Sequence, residues 1–306
     1  MSIKPNIWIT LAIAAVLVTA LSFVLPKDSE KYLGELFWTR KTFAPAKYDV
    51  VLMGDSRLYR GLSPEIMESH LPGLKVLNFA YSNGGLNTAM FEAAEKKLSQ
   101  NNKPKVIVLG ISTNTITPYS AGNQQYIQEL IRPREEVLER IYLNPLRYWF
   151  SATSPEELKQ HFSNSEETAF YRNKYFMNGY VESEKFPVDT MEAIPSYIKD
   201  FTNYKVESKN LEVLFKQVEK WTKEGIVVVG FTFPVSQPMQ MLEDTLGLFD
   251  EAAIKAGIEK ASGHWIDFNP ANYKTYDGSH LTIESAKQLS NTVGKEIEKL
   301  ISNSEQ

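Results

Sequence analysis

Ser56 lies in Gly54-Asp55-Ser56-Arg57, and Asp277 and His280 lie in Asp277-Gly278-Ser279-His280, towards the other end of the chain. These residue types are the ones acyl transfer requires. A hydroxyl attacks, an imidazole takes its proton, and a carboxylate fixes the imidazole tautomer. A tetrahedral intermediate also needs donors aimed at its oxyanion. The candidates are the Ser56 N–H at the start of a helix, the Asn83-Gly84-Gly85 loop and the Asn114 amide. Each motif alone has a plainer explanation. Gly-Asp-Ser is also an ordinary helix-capping turn, and Asn114 is equally well a loop cap. Their placement is what raises them above that.

Position depends on the elements around them. Ser56 follows the apolar run Tyr48–Met53, which predicts a strand, and a helix is expected over Ser63–Ser69. A second strand, Leu74–Phe79, runs into the glycine loop, and a helix over Asn87–Gln100 follows. A third strand, Lys105–Ile111, ends just before Ser112-Thr113-Asn114. The rhythm resumes with a helix at Ser208–Glu224, strand Ile226–Phe231, a helix at Glu243–Ala256, strand Trp265–Phe268 and a helix over Thr282–Ile301. Strands alternating with amphipathic helices predict a parallel sheet covered by helices. In such sheets chemistry gathers at the C-terminal strand ends, where Ser56 falls; Asp277 and His280 lie in the turn between the last strand and the final helix, from which both can project over the same edge.

Between residues 115 and 205 this alternation stops. The stretch carries no strong strand signal and many aromatics, among them Tyr142, Tyr148, Trp149, Phe150, Phe162, Phe170, Tyr171, Tyr175, Phe176 and Tyr180. It is too long for a loop and predicts a largely helical insertion whose aromatics pack on one another.

The 306 residues carry a net charge of −4 and no Lys/Arg block, which removes the electrostatic signature of a nucleic-acid partner. No cysteine is present, so thiolate catalysis and disulfides are excluded. His70, His161 and His264 show no metal-ligand spacing; no metal and no cofactor are expected. Ile7 to Leu25 is an uncharged run of nineteen residues. At about 1.5 Å per residue it spans roughly 28 Å, close to the hydrocarbon thickness. The expected division is therefore an N-terminal transmembrane anchor over residues 1–28 and a domain over 29–306 that lies outside the cytoplasm. Val18-Thr19-Ala20 offers a cleavage site for a signal peptide, the competing reading, but the run is long for one. The absence of Asn-x-Ser/Thr sequons favours a bacterial envelope.

Taken in order, these blocks resemble the SGNH (GDSL-type) hydrolase superfamily: Gly54-Asp55-Ser56 after the first strand, a glycine loop after the second, an Asn after the third and Asp277-x-x-His280 near the end. The resemblance runs from about residue 47 to 301, apart from the insertion. It implies a three-layer α/β/α, flavodoxin-like parallel sheet with Ser56 as nucleophile, His280 as base and Asp277 as its partner. It also implies oxyanion donors at Ser56, Gly84 and Asn114, with Arg57 and Asn83 placed to contact substrate. The third block reads Gly110-Ile111-Ser112-Thr113-Asn114 where the family has Gly-x-Asn-Asp, so either Ser112 or Asn114 takes the place of its Asn. An anchor combined with Gly-Asp-Ser-Arg is similar to the envelope members that accompany membrane-bound O-acyltransferases. That likeness implies a membrane-anchored esterase or O-acyltransferase acting on acyl esters, with acetyl the expected group, of an envelope glycan or teichoic acid. A membrane-bound O-acyltransferase is the protein partner it implies. A non-catalytic scaffold for such a partner and a secreted lipase or esterase are the alternatives.

Overall fold

The computed structural model describes residues 5–24, 30–150 and 169–304. It divides into two compact units, Met1–Arg40 with Arg132–Thr168, and Lys41–Ile131 with Ala169–Gln306. The second unit contains every candidate site residue.

In that unit a five-stranded sheet runs in the order β2-β1-β3-β6-β7. The strands are β1 (Val50–Met53), β2 (Val76–Asn78), β3 (Val106–Ile111), β6 (Val227–Thr232) and β7 (His264–Trp265). Every pairing among them is parallel. β3 is buried along its whole length, as a parallel strand covered on both faces must be. Its Val106, Ile107, Val108, Leu109 and Ile111 side chains are fully buried, each stabilising the fold by about 1.5–3 kcal/mol. Helix Ser208–Lys223 packs on β6 and on helices Thr88–Glu95 and Glu251–Lys260. Helix Ile283–Ser304 packs on Ser56–Gly61 and Pro64–Glu68. Two such helix groups around one sheet agree with three α/β/α layers. Because β2 lies on one side of β1 and β3 on the other, the chain reverses direction across the sheet at β1. This is the switch point where open α/β sheets leave a crevice at the strand ends.

Three local expectations are corrected. The single helix expected over Glu243–Ala256 is two, Gln237–Thr245 and Glu251–Lys260. Leu248 between them takes a left-handed φ of 57°, and Asp250 caps the second by accepting from the Ala253 N–H. The helix expected to reach Gln100 stops at Glu95, and Leu98 instead bridges to Tyr48 beside β1. The stretch read as strandless holds an antiparallel hairpin, β4 (Phe170–Tyr175) with β5 (Val181–Phe186). Gly179 makes its turn with φ +97°. This hairpin and helix Ile194–Asn203 belong to the α/β unit, whereas residues 132–168 belong to the other.

The first unit contains helix Pro5–Val24, whose described side chains, Ile7 to Leu21, are all exposed. Among the described residues no helix is long and apolar enough to cross a membrane. Leu25, the last residue of the expected span, and Lys27 and Asp28 beyond it lie outside the described residues, as do His161 and Phe162. Helices Arg134–Tyr142 and Asn144–Phe150 also fall in this unit. Among their described aromatics Tyr142, Trp149 and Phe150 are exposed, while the Tyr148 and Trp149 rings meet edge to face at 5.8 Å.

Candidate active site

Ser56 begins the short helix that leaves β1. Asp55 caps this helix, its Oδ1 accepting the Arg57 N–H at 2.9 Å. The other carboxylate oxygen accepts the Ser112 hydroxyl at 2.6 Å, tying the turn after β1 to the end of β3. The helix is thus held from below by two strands, with Ser56 half-buried at its tip.

The candidate base comes from the turn before the last helix. Gly278 sits there at φ +91°, and a Cβ on it would lie 2.2 Å from the Thr190 carbonyl, so only glycine fits. Neighbouring backbone clamps the turn: Asp189 N–H donates to Tyr276 O, Ala193 N–H to Asp277 O, and Ser236 N–H to Gly278 O. One oxygen of Asp277 accepts the N–H groups of Ser279 and His280 at 2.8 and 2.7 Å. Its other oxygen lies 2.7 Å from His280 Nδ1, and His280 Nε2 lies 2.9 Å from Ser56 Oγ. With the Nδ1 proton donated to Asp277, Nε2 is left as acceptor for the serine hydroxyl.

Electrostatics match those roles. Burial raises the Asp277 carboxyl, but the hydrogen bond and charge of His280, with the two backbone N–H groups, outweigh it and hold the group at about 2. His280 is lowered from its ordinary value, first by burial and then by the Arg60 and Arg57 charges, against the opposing pull of Asp277. A neutral imidazole beside an ionised carboxylate is therefore the state at neutral pH. Such a pair can take a proton from Ser56 and return it to a leaving group.

The expected oxyanion donors fare differently. The Ser56 N–H opens a helix and has no intrahelical acceptor. Gly84 packs against the tip of β1, where a Cβ would lie 2.7 Å from the Gly54 carbonyl, but its N–H donates to Tyr81 O at 3.0 Å. Gly84 therefore shapes the crevice, and its N–H is already committed. Asn83, at the exposed tip of that turn with φ 50°, has an N–H with no acceptor among the described residues. Ser112 is removed as a side-chain donor because its hydroxyl proton goes to Asp55. Asn114 is buried after β3, its carbonyl accepting from Thr117 and Ser120 while its side-chain amide makes no hydrogen bond among the described residues.

Arg57 is not a substrate contact. It points into the protein, where its side chain is 2% exposed and forms an ion pair with Glu243 at 2.7 Å. Its Nε donates to Ser279 Oγ at 2.9 Å, Tyr197 Oη lies 2.7 Å from the same oxygen, and the guanidinium stacks on the Tyr197 ring. Arg57 thus bolts the nucleophile helix to the turn that carries the base. Sequence reasoning also passed over Arg60, Tyr171 and Tyr276. The Tyr276 ring lies parallel to His280 at 5.7 Å, and Arg60 stands over Tyr171 at 5.8 Å. The spacing of Arg60, four residues after Ser56, was the available signal. Among the described residues no cluster of His, Asp and Glu is placed to hold a metal ion.

No protein-family model matches the chain, and no curated protein matches it. Among solved structures it is similar to "a putative platelet activating factor from Streptococcus pneumonia", at 12% identity and a TM-score of 0.36. That likeness covers 94% of this chain and 99% of the other. At this identity and score the likeness says nothing about chemistry.

Proposed function

We propose that this chain is a serine esterase or O-acyltransferase of the SGNH (GDSL-type) kind, anchored through residues 7–25 on the outer face of a bacterial cytoplasmic membrane. Its substrates are acyl esters, acetyl foremost, of an envelope polysaccharide or teichoic acid. One observation carries the catalytic part: Asp277, His280 and Ser56 form a continuous relay, with contacts of 2.7 and 2.9 Å, at the C-terminal edge of a parallel sheet. The anchor rests on the uncharged run from Ile7 to Leu25 in the sequence and on the exposure of the described side chains Ile7 to Leu21, all apolar but Thr10 and Thr19.

In this reading Ser56 Oγ attacks the ester carbonyl while His280 Nε2 takes its proton. The oxyanion is met by the Ser56 N–H, the Asn83 N–H and the Asn114 amide, and collapse returns the proton to the departing alcohol. His280 then deprotonates water or an acceptor hydroxyl, which attacks the acyl-enzyme and frees Ser56. Asp277 stays ionised throughout and steadies the imidazolium. Hydrolysis and transfer differ only in the acceptor.

Turnover of p-nitrophenyl acetate by the purified full chain tests the catalytic part. Ser56→Ala is expected to lower kcat by at least about a thousandfold, as loss of a triad nucleophile does. Equal rates in the two proteins would remove the assignment. The anchor is tested separately by washing membranes with alkaline carbonate. Retention in the pellet supports it, and release into the supernatant overturns it.

A further inference from the structure

The Ser56–Gly61 helix buries Arg57, Leu58, Tyr59 and Gly61, leaving Ser56 and Arg60 half-buried. Residues four apart lie on one helical face, so the Arg60 guanidinium stands one turn from the nucleophile along the same open edge. Its surroundings contrast with those of Arg57. Where Arg57 is paired with Glu243 and bonded to Ser279, Arg60 forms no ion pair among the described residues, and its Nε is buried without an acceptor. Asp277, a carboxylate close enough to influence it, is already committed to His280 and two backbone N–H groups. Arg60 lies instead against aromatic rings, 5.2 Å from the centroid of Tyr59 and 5.8 Å from that of Tyr171. Tyr171, on the exposed face of β4, tilts toward Tyr276 at 6.2 Å, and the Tyr276 hydroxyl is buried with no hydrogen-bond partner.

A half-buried cation with an orphaned N–H, beside an orphaned hydroxyl, is unfavourable until an acceptor arrives. A guanidinium matches the two oxygens of a carboxylate or phosphate, and the tyrosine hydroxyl can donate to the same group. We propose that Arg60, with Tyr171 and Tyr276, forms a subsite for an anionic group of the substrate, a carboxylate or a phosphate, one helical turn from Ser56. This deepens the esterase reading and rests on it for its meaning: the ester cleaved or transferred belongs to an acidic molecule.

The test compares three aryl acetates on the full chain at pH 8: methyl 4-acetoxybenzoate, 4-acetoxybenzoate and 4-acetoxyphenyl phosphate. The wild-type chain is expected to prefer at least one anionic ester over the neutral one in kcat/KM, and the carboxylate and phosphate arms identify which group fits. Arg60→Gln is expected to lower that preference by about tenfold or more, chiefly through KM, which is the loss of one charged contact. Arg60→Lys is expected to keep part of it. A preference unchanged by Arg60→Gln, or none in the wild type, overturns the proposal. If Arg60→Gln does not fold, competition decides: benzoate or inorganic phosphate inhibiting wild-type turnover of the neutral ester upholds the subsite, and no competition overturns it. If the wild type cleaves none of the three, the esterase reading fails by itself. Calorimetric binding of inorganic phosphate or benzoate to the wild type and to Arg60→Lys then judges the anion site, with failure of both anions to bind overturning it.

Discussion

Removing Glu243 should be far more damaging than removing Glu243 and Arg57 together. The pair is buried, with side chains 8% and 2% exposed, and Glu243 is the only carboxylate in ion-pair contact with Arg57 among the described residues. Glu243→Leu leaves the guanidinium in the interior with only the Ser279 hydroxyl and the Tyr197 ring. Stranding one charge of a buried pair costs about 3–5 kcal/mol. In a unit of this size that lowers Tm by roughly 6–20 °C. Arg57→Met leaves the Glu243 carboxyl buried, where it escapes part of the cost by protonating, since burial already raises it despite Arg57. The double variant removes both charges, and its remaining losses are the bond to Ser279, about 1–3 kcal/mol, and the contact with the Tyr197 ring. The two single costs therefore exceed the double cost by at least about 2 kcal/mol. Urea unfolding followed by fluorescence, with Trp221 fully buried in the core, measures the cycle through the midpoint at constant m. Additivity within about 0.5 kcal/mol would falsify the claim that this pair is a coupled buried bolt.

Four further outcomes follow from the site. Asn114→Ala is expected to lower kcat by about 10²–10³-fold while KM and Tm stay close to the wild type, the signature of a donor used in the transition state; a loss confined to stability would make Asn114 a loop cap. Because burial and the two arginine charges lower His280 below 6.5, its neutral form persists into mild acid, so kcat/KM for a neutral ester should stay flat at neutral pH and fall only below 6.5. Arg60→Gln removes a charge that opposes the imidazolium, so the acid limb should move upward, and an unmoved or lowered limb would show that Arg60 does not act on the base. Gly84→Ala puts a methyl 2.7 Å from the Gly54 carbonyl and should cost about 1–3 kcal/mol with a marked fall in kcat; wild-type kinetics would refute that close approach.

The sheet was legible because its strands are buried on both faces and so read as unbroken apolar runs, such as Val106-Ile107-Val108-Leu109. The hairpin was not, since Phe170-Tyr171-Arg172-Asn173-Lys174-Tyr175 is largely exposed and lacks the apolar alternation of a half-buried strand. The meeting of Ser56 with Asp277 and His280 was legible because Ser56 follows a strand and the other two share the glycine turn before the last helix. The roles of Arg57 and Ser112 were not. Whether an arginine faces solvent or the interior depends on a partner such as Glu243, supplied by a helix far along the chain. Whether a serine proton is free depends on an acceptor such as Asp55 across the sheet. Local spacing cannot encode either fact, whereas the shared helix face of Ser56 and Arg60 lies within one turn and was open to inspection.

The proposed nucleophile, Ser56, and its proposed base, His280, lie 224 residues apart in sequence. Closing a chain segment of that length costs about 5 kcal/mol in entropy, met only when the turn at Gly278 docks against the Thr190 and Ser236 segments. A nascent chain that has made Ser56 and the first three strands has no base, and one cut before Asp277 never acquires it. In the proposed esterase, activity is therefore self-timed: it begins only once the turn at Gly278 is synthesised and seated. Recovery of turnover after dilution from denaturant would report the arrival of the C-terminal turn, whatever secondary structure had formed before.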